Sequence, residues 1–358
     1  MRFSISIIAS LLLLTSTYAF PTINKPKQHP TRSTPITTHT LPPTLLYQFP
    51  NNTWLENFAI RPNGQLLITL ITTPEIYLWD PLSPSEVTHI TTLPSYVSLL
   101  GIASPIPDIY YFVAGNWTSA AGTVPGTYAI WKLDMRVSSP KVVKILDMPK
   151  AQFLNGLDVL SPSDGTLLVA DSVLGLVWKI NIFTRTYDVF IDVPEMKIAV
   201  NSTLQLGING IHIFQNALYF TSMTQELYCR ISLNPTHNSS HGAVETLATG
   251  IFGDDFTIDR FGNSWITQDP MDLMTLVIGE GSRKGEVFTL AGREGTKVTQ
   301  SGVPYVVGAT RAAFGVLEED EDVLYVVTNG GIAAAKNGVV GGEILSFDTA
   351  GFLNQILG

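Results

Sequence analysis

Cysteine is nearly absent. Cys229 is alone among 358 residues, so no disulfide closes within the chain and stability must come from a packed core. Its setting, "ELYCRISL", alternates like a strand, which fits a buried inert thiol better than a nucleophile. Charge is scarce as well: 14% of residues are charged, and 21 Lys and Arg stand against 30 Asp and Glu, a net charge of −9. Without clustered cations the composition argues against nucleic acid as a partner. No Gly-x-Ser-x-Gly elbow occurs, which removes that route to acyl transfer. "GEGSRKGE" (279–286) is Gly-rich but joins two strands and opens no helix, so it does not read as a phosphate loop. Beyond the first residues nothing approaches the ~20 consecutive apolar residues of a membrane span.

The chain does begin with an apolar stretch. Arg2, then "IIASLLLL", then Thr17-Tyr18-Ala19 give residues 1–19 the pattern of a cleaved signal peptide. The expectation is a protein that is secreted or enters the secretory lumen. Four Asn-x-Ser/Thr sequons, at Asn51, Asn116, Asn201 and Asn238, are the expected glycosylation sites. Residues 20–41 are rich in Pro and Thr and read as a loose segment. The rest, 42–358, reads as one domain, with 45% apolar residues in the whole chain to fill its core.

That domain repeats itself. "FLNGLDVLSPSDGTLLVAD" from Phe153 and "GINGIHIFQNALYFTSM" from Gly207 are two copies of one pattern. Looser copies begin at Glu56, Leu100, Asp254 and Ala313. Most are followed by a third alternating run, such as "EIYLWD" or "GLVWKIN", and some by a fourth, such as "KVVKILDMP". Four short strands every ~50 residues, with no helical period between them, is the signature of propeller blades. A blade cannot bury both faces of its sheet alone, whereas a ring of blades can. "GEILSFDTAGF" near the C-terminus is a third strand without a fourth. "PPTLLYQFP" (42–50) near the N-terminus is a fourth strand without a blade. The fold expected is therefore all-β: a six-bladed β-propeller closed by an N-terminal strand that completes the last blade, which removes exposed sheet edges.

In such a blade the residues before the first strand and after the second lie at one rim of the channel. Glu56, Asn155, Asn209 and Asp254 hold the first position in four blades. Asn116, Asp171, Ser222, Gln268 and Asn329 hold the second. Each alone is ordinary turn chemistry. Together, two carboxylates and two amides around an axis suit a hard divalent cation, Ca2+ or Mg2+. Without a metal, facing carboxylates would repel and one would keep a proton. The glycine after Asn155 and after Asn209 is expected to allow a backbone turn that other residues resist.

On Glu56, Asn155-Gly156, Asn209-Gly210 and Asp254, in that order and about one blade apart, the chain resembles the SMP-30/gluconolactonase family of six-bladed propellers, over essentially all of 42–358. The resemblance implies one metal ion on Glu56, Asn209 and Asp254, with Asn155 beside it. The contexts "ENFAI" and "GDD" depart from the family's own, and no counterpart of its sugar-binding Arg precedes Asn155. That turns the expectation away from sugar lactones. In length, signal segment and apolar channel composition the chain is also similar to secreted fungal hetero-Diels-Alderases of tropolone-sesquiterpenoid secondary metabolism. That similarity implies joining a tropolone quinone methide to a humulene-type alkene, a small apolar organic substrate pair; the protein itself is expected to be a monomer or weak dimer.

Under that reading Trp54, Phe58, Tyr96, Trp117, Met223, Met271 and Phe314 are expected to wall the cup. Asn155, Asn209, His212 and Gln268 would donate hydrogen bonds to the heterodiene oxygen. Asp254 or Asp255 would supply the acid that expels water to unmask it. His212 also fits a satisfied channel histidine. Two other classes stay open: a metal-dependent lactonase or esterase, in which the ion polarises the carbonyl, and a propeller that binds a ligand without chemistry.

Overall fold

A computed structural model describes residues 37–38, 41–234, 242–292, 306–334 and 339–357. The expected signal peptide and Asn238 lie outside the described residues. Within residues 35–358, the described residues form a six-bladed propeller in which each blade has four antiparallel strands, five of the blades written by one repeat apiece. The inner strands are Leu55–Ile60, Ser98–Ile106, Leu154–Ser161, Ile208–Phe214, Phe256–Ile258 and Ala309–Phe314. Each packs against the next, and that of blade 6 returns to that of blade 1.

Thr44–Asn51 pairs antiparallel with Gly341–Asp348 as the fourth strand of blade 6. The N-terminal closure expected from the unmatched strand patterns is the arrangement observed. Thr37–Thr38, expected within the loose segment, pairs parallel with the outer strand Val287–Gly292 of blade 5. Helix is confined, among the described residues, to Phe352–Leu357 and a short 3-10 turn at Pro194–Met196. No helix among them is long and apolar enough to cross a membrane.

The core lies between blades, where alternate residues of facing sheets interdigitate. Leu168, Val177, Leu218 and Phe220 fill the space between blades 3 and 4. Phe58, Ile68, Tyr325 and Val327 fill that between blades 6 and 1. Cys229 is fully buried in the blade 3–4 cluster, and burial pushes its thiol up to about 12, which makes it inert at neutral pH.

The joints near the axis are fastened in two ways. At three of them a threonine hydroxyl alone does this: Thr69 donates to Leu100 O at 2.7 Å, Thr267 to Thr310 O at 3.0 Å, and Thr310 to Leu55 O at 2.7 Å. At the other three, glycine lets backbones touch. A Cβ on Gly101 would stand 2.3 Å from Asn155 O, and one on Gly156 2.7 Å from Asn209 O. One on Gly210 would stand 2.4 Å from Asp255 Oδ1, and here Thr221 also donates to Asp254 O at 2.6 Å. This corrects the reading of Asn-Gly. Neither Gly156 nor Gly210 has positive φ; the residue is needed for close approach between blades, not for a turn.

Candidate functional site

Strand register fixes which side chains share the rim. Leu55 pairs with Leu70, Leu154 with Asp171, Ile208 with Ser222 and Ala309 with Thr328. The start of each inner strand and the end of its neighbour therefore sit at one end of the channel. An irregularity at the same place in the inner strands holds Glu56, Asn155-Gly156 and Asn209-Gly210. The bulged residue is freed from the ladder and re-aimed. Glu56, Asn155, Asn209 and Asp254 are all buried here. Asn209 Nδ2 donates to Asp254 Oδ1 at 2.7 Å.

Three acids share this end: Glu56, Asp254 and Asp269, the last just after the second strand of blade 5. Burial pushes Glu56 up to about 8, the nearby Asp269 adds to that, and the Trp54 indole N–H pulls back from outside hydrogen-bond geometry. Burial likewise raises Asp254 well above the carboxylate range, helped by the charges of Glu56 and Asp269. Asp269 is raised by burial to about 7; the Asn329 amide pulls it down but does not reach hydrogen-bond geometry. At neutral pH this cluster holds protons that carboxyls in water would have lost.

A second tier lies one step further along the inner strands. Asp255 accepts from Asn57 Nδ2 at 3.0 Å and meets His212 Nε2 at 2.9 Å, with Arg311 Nη1 at 3.5 Å. Asp158 Oδ2 stands 3.6 Å from His212 Nδ1. Burial raises the Asp255 carboxyl, but Arg311 and His212 more than offset it and hold the group below its usual range. Burial and Arg311 depress His212, while Asp255 and Asp158 more than restore it, so its net shift is upward. Arg311 Nη1 lies 2.7 Å from His212 Nε2 and also donates to Phe256 O. Asp255 Oδ1 also accepts from Phe256 N at 2.8 Å, so the backbone, His212 and Arg311 converge on one carboxylate. His212 is therefore a strut in an ion network.

The residues picked from the sequence separate on this framework. Trp54 and Trp117 meet edge to face at 5.5 Å, and Trp117 stacks on Phe153 at 6.3 Å. Both tryptophans pack in one apolar cluster with Val173, Leu174, Leu206 and Ile332 from the loops of blades 3, 4 and 6. Phe58 and Phe314, expected at the cup, pack elsewhere. Phe58 fills the blade 6–1 core, and Phe314 stands edge-on to Trp265 at 5.5 Å. Met223 is buried, and its backbone N–H holds Gly207 O at 2.9 Å. Tyr96 packs edge to face on Trp131 at 5.8 Å. Gln268, expected to donate to a substrate, has both ends engaged: Oε1 accepts from Phe252 N and Nε2 donates to Thr275 Oγ1. Asp171 is a structural staple that accepts from four groups, including Trp178 Nε1 at 3.2 Å. Asn51 and Asn201 are exposed and Asn116 is half-buried.

Asn57, Asp158, Asp269 and Arg311 were not singled out by the repeat. For Asp158 and Arg311 the signal was a lone charged residue inside an otherwise apolar inner strand, as in "LDVLS" and "ATRAAF".

Ten buried side-chain polar atoms among the described residues lack a hydrogen-bond partner. Seven of them belong to this one end: Trp54 Nε1, Asn116 Oδ1, Ser172 Oγ, Asn209 Oδ1, Ser222 Oγ, Asp269 Oδ1 and Asn329 Nδ2. Orphaned polar atoms are costly to bury and are normally scattered and few. Their concentration beside an apolar wall makes this end of the channel the candidate ligand site. A cleft of about 180 Å³ between blades 4 and 5 is a weaker candidate, because its charges, Arg230, Glu245 and Lys284, are already paired with one another.

No family model matches the chain. Two curated fungal proteins do. One from Sarocladium schorii, provisionally named hetero-Diels-Alderase asR5, is 25% identical over 345 residues, 87% of this chain and 84% of its own. One from a Phoma species, with the same provisional name of hetero-Diels-Alderase, is 26% identical over 318 residues, 81% and 87%. Among solved structures, the calcium-binding protein regucalcin of Agrobacterium tumefaciens superposes with a TM-score of 0.56 at 13% identity, covering 87% of this chain and 96% of that one. A protein provisionally named gluconolactonase gives 0.53 at 13%, covering 88% and 94%. The chain resembles both groups. The structural likeness speaks for the propeller fold alone.

Proposed function

We propose that the protein is a fungal pericyclase that joins an oxygen heterodiene, of the tropolone quinone methide type, to an apolar humulene-type alkene by hetero-Diels–Alder cycloaddition. The observation that carries this reading is the gathering of seven unpaired polar atoms beside an apolar wall at one end of the channel. The names of the two curated relatives support it.

Cycloaddition makes one C–C and one C–O bond at the expense of π bonds and loses no atoms. The protein therefore needs only to position the partners and to lower the charge on the heterodiene oxygen. Trp54, Trp117, Leu206 and Ile332 would hold the alkene, and fixing both partners at near-attack distance is worth up to about 7–11 kcal/mol in good cases. A protonated Glu56 or Asp254 carboxyl would donate to the oxygen as electron density builds there. If the heterodiene arrives as a hydroxymethyl precursor, the Asp254 proton would leave with the hydroxyl as water, and the ring O–H proton would return to the carboxylate.

The chain also fits a hard cation. Glu56 and Asp254 bring carboxylates and Asn209 an unpaired Oδ1, although no three His, Cys, Asp or Glu side chains among the described residues cluster as ligands. Ca2+ or Mg2+ held there would supply Lewis acidity toward the same oxygen. The reading includes export through the secretory route, with glycans on exposed Asn51 and Asn201.

The test is incubation of the purified protein with a hydroxymethyl-tropolone and a humulene-type alkene, and in parallel with simple lactones. A single stereoisomer of the adduct, formed above background, is expected. Racemic adduct at the background rate, or turnover of lactones instead, overturns the reading.

A further inference from the structure

Asn329 follows the second strand of blade 6 and is fully buried. Its Oδ1 accepts from Gly331 N at 2.7 Å, which fixes the carboxamide's orientation. Gly308 presses on the same side chain, and a Cβ there would stand 2.1 Å from Oδ1. Gly308 is in turn held by Asp272 Oδ1, 2.9 Å from its N–H. A side chain clamped this firmly still leaves Nδ2 without a partner. One blade back, Asp269 is 5% exposed with Oδ1 unpaired. The two lie close enough to interact but not in hydrogen-bond geometry. One fixed donor and one acceptor, side by side on neighbouring blades and both unsatisfied, describe a ligand group that carries the complementary pair.

We propose that Asn329 and Asp269 form a two-point cradle for a vicinal hydroxy-carbonyl group. Asn329 Nδ2 donates to the ligand's carbonyl oxygen and Asp269 Oδ1 accepts from its hydroxyl. This deepens the cycloaddition reading and rests on it for the cradle's use. It assigns the oxygenated partner to blades 5 and 6 and leaves the apolar wall, with Trp54 and Trp117, to the alkene. The cradle sets which partner binds where, so it determines specificity and orientation.

The probe is tropolone, compared with tropone, which lacks the hydroxyl, and with tropolone methyl ether, which cannot donate. Each is titrated against the intact protein by calorimetry. Tropolone is expected to bind about tenfold more tightly than either analogue, the effect of one well-made hydrogen bond. Asp269→Leu removes the acceptor for the hydroxyl and should erase that preference, whereas Asn329→Leu removes the donor to the carbonyl and should weaken all three probes alike; binding of the alkene alone stays unchanged in both. Equal binding of the three probes to the wild type overturns the cradle, as does a preference that survives in Asp269→Leu. If the variant does not fold, the three-probe comparison on the wild type decides alone. A tropolone preference without any adduct would keep the cradle and sink the cycloaddition; stereopure adduct without the preference would do the reverse.

Discussion

The acid cluster makes a prediction about stability that runs against the usual behaviour of carboxylates. Glu56 titrates near 8 in the folded protein, well above the usual carboxylate range near 4.5. A carboxyl with a raised folded pKa binds more protons folded than unfolded between those two values, so stability is greatest below about pH 4.5 for this group and falls as pH rises toward 8. The part of this linkage released between pH 5.5 and pH 8.5 is about 3 kcal/mol for one group. Asp254 and Asp269 are raised as well and push in the same direction. In chelator-treated protein, thermal melts at pH 5.5 and pH 8.5 should therefore differ by at least ~6 °C, taking about 2 °C per kcal/mol for a chain of this size, with the higher Tm at pH 5.5. Glu56→Gln replaces the ionising group by a neutral one of equal shape. It should flatten the profile and raise Tm at pH 8.5 above that of the wild type. A wild-type Tm that is constant or rises over this range, or a Gln variant with an unchanged slope, refutes the assignment of buried protonated carboxyls at the channel end.

Three other outcomes follow from the same coordinates. Gly210→Ala should cost more than ~2 kcal/mol in a denaturant titration, since its Cβ would meet Asp255 at 2.4 Å; Gly242→Ala, whose nearest neighbour would be 3.6 Å away, should be nearly neutral. Arg311→Met should lower stability by about 3–5 kcal/mol, as expected when one partner of a buried ion network is removed, and should shift the His212 titration seen by NMR. Cys229, buried with its thiol near 12, should resist a thiol reagent in the native state and react stoichiometrically once the protein is unfolded.

Much of the fold was legible because propeller blades are written serially. "NGLDVLS" and "NGIHIF" announce inner strands by themselves, and the unmatched "TLLYQFP" pointed to its place beside "GEILSFD" through the absence of a fourth strand in the last repeat. The shared end of the channel was legible through position alone, which is why Glu56, Asn209 and Asp254 were found together. The direction of side chains at a given position was not. Phe58 is two residues from Glu56, yet it turns into the blade 6–1 core. Gln268 and Asp171 occupy rim positions but spend their polar atoms on local backbone and side chains. The partner of a buried charge is set by the ring's closure and not by local sequence. Arg311 and His212, 99 residues apart, illustrate what a periodic reading cannot see. The glycines misled for a related reason: close approach between blades is a property of the neighbour, and the sequence around Gly210 carries no trace of it.

The strand Thr44–Asn51 is among the earliest described residues to be synthesised, yet its partner Gly341–Asp348 is among the last. During synthesis that early strand must wait with its hydrogen-bonding edge open while five blades assemble, exposed to pairing with other nascent chains. Its charge is no protection, since "TLLYQFPN" carries none. A chain cut short before residue 341 would leave both ends of the ring open, so the circle acts as a length check: only a finished polypeptide can hide its edges.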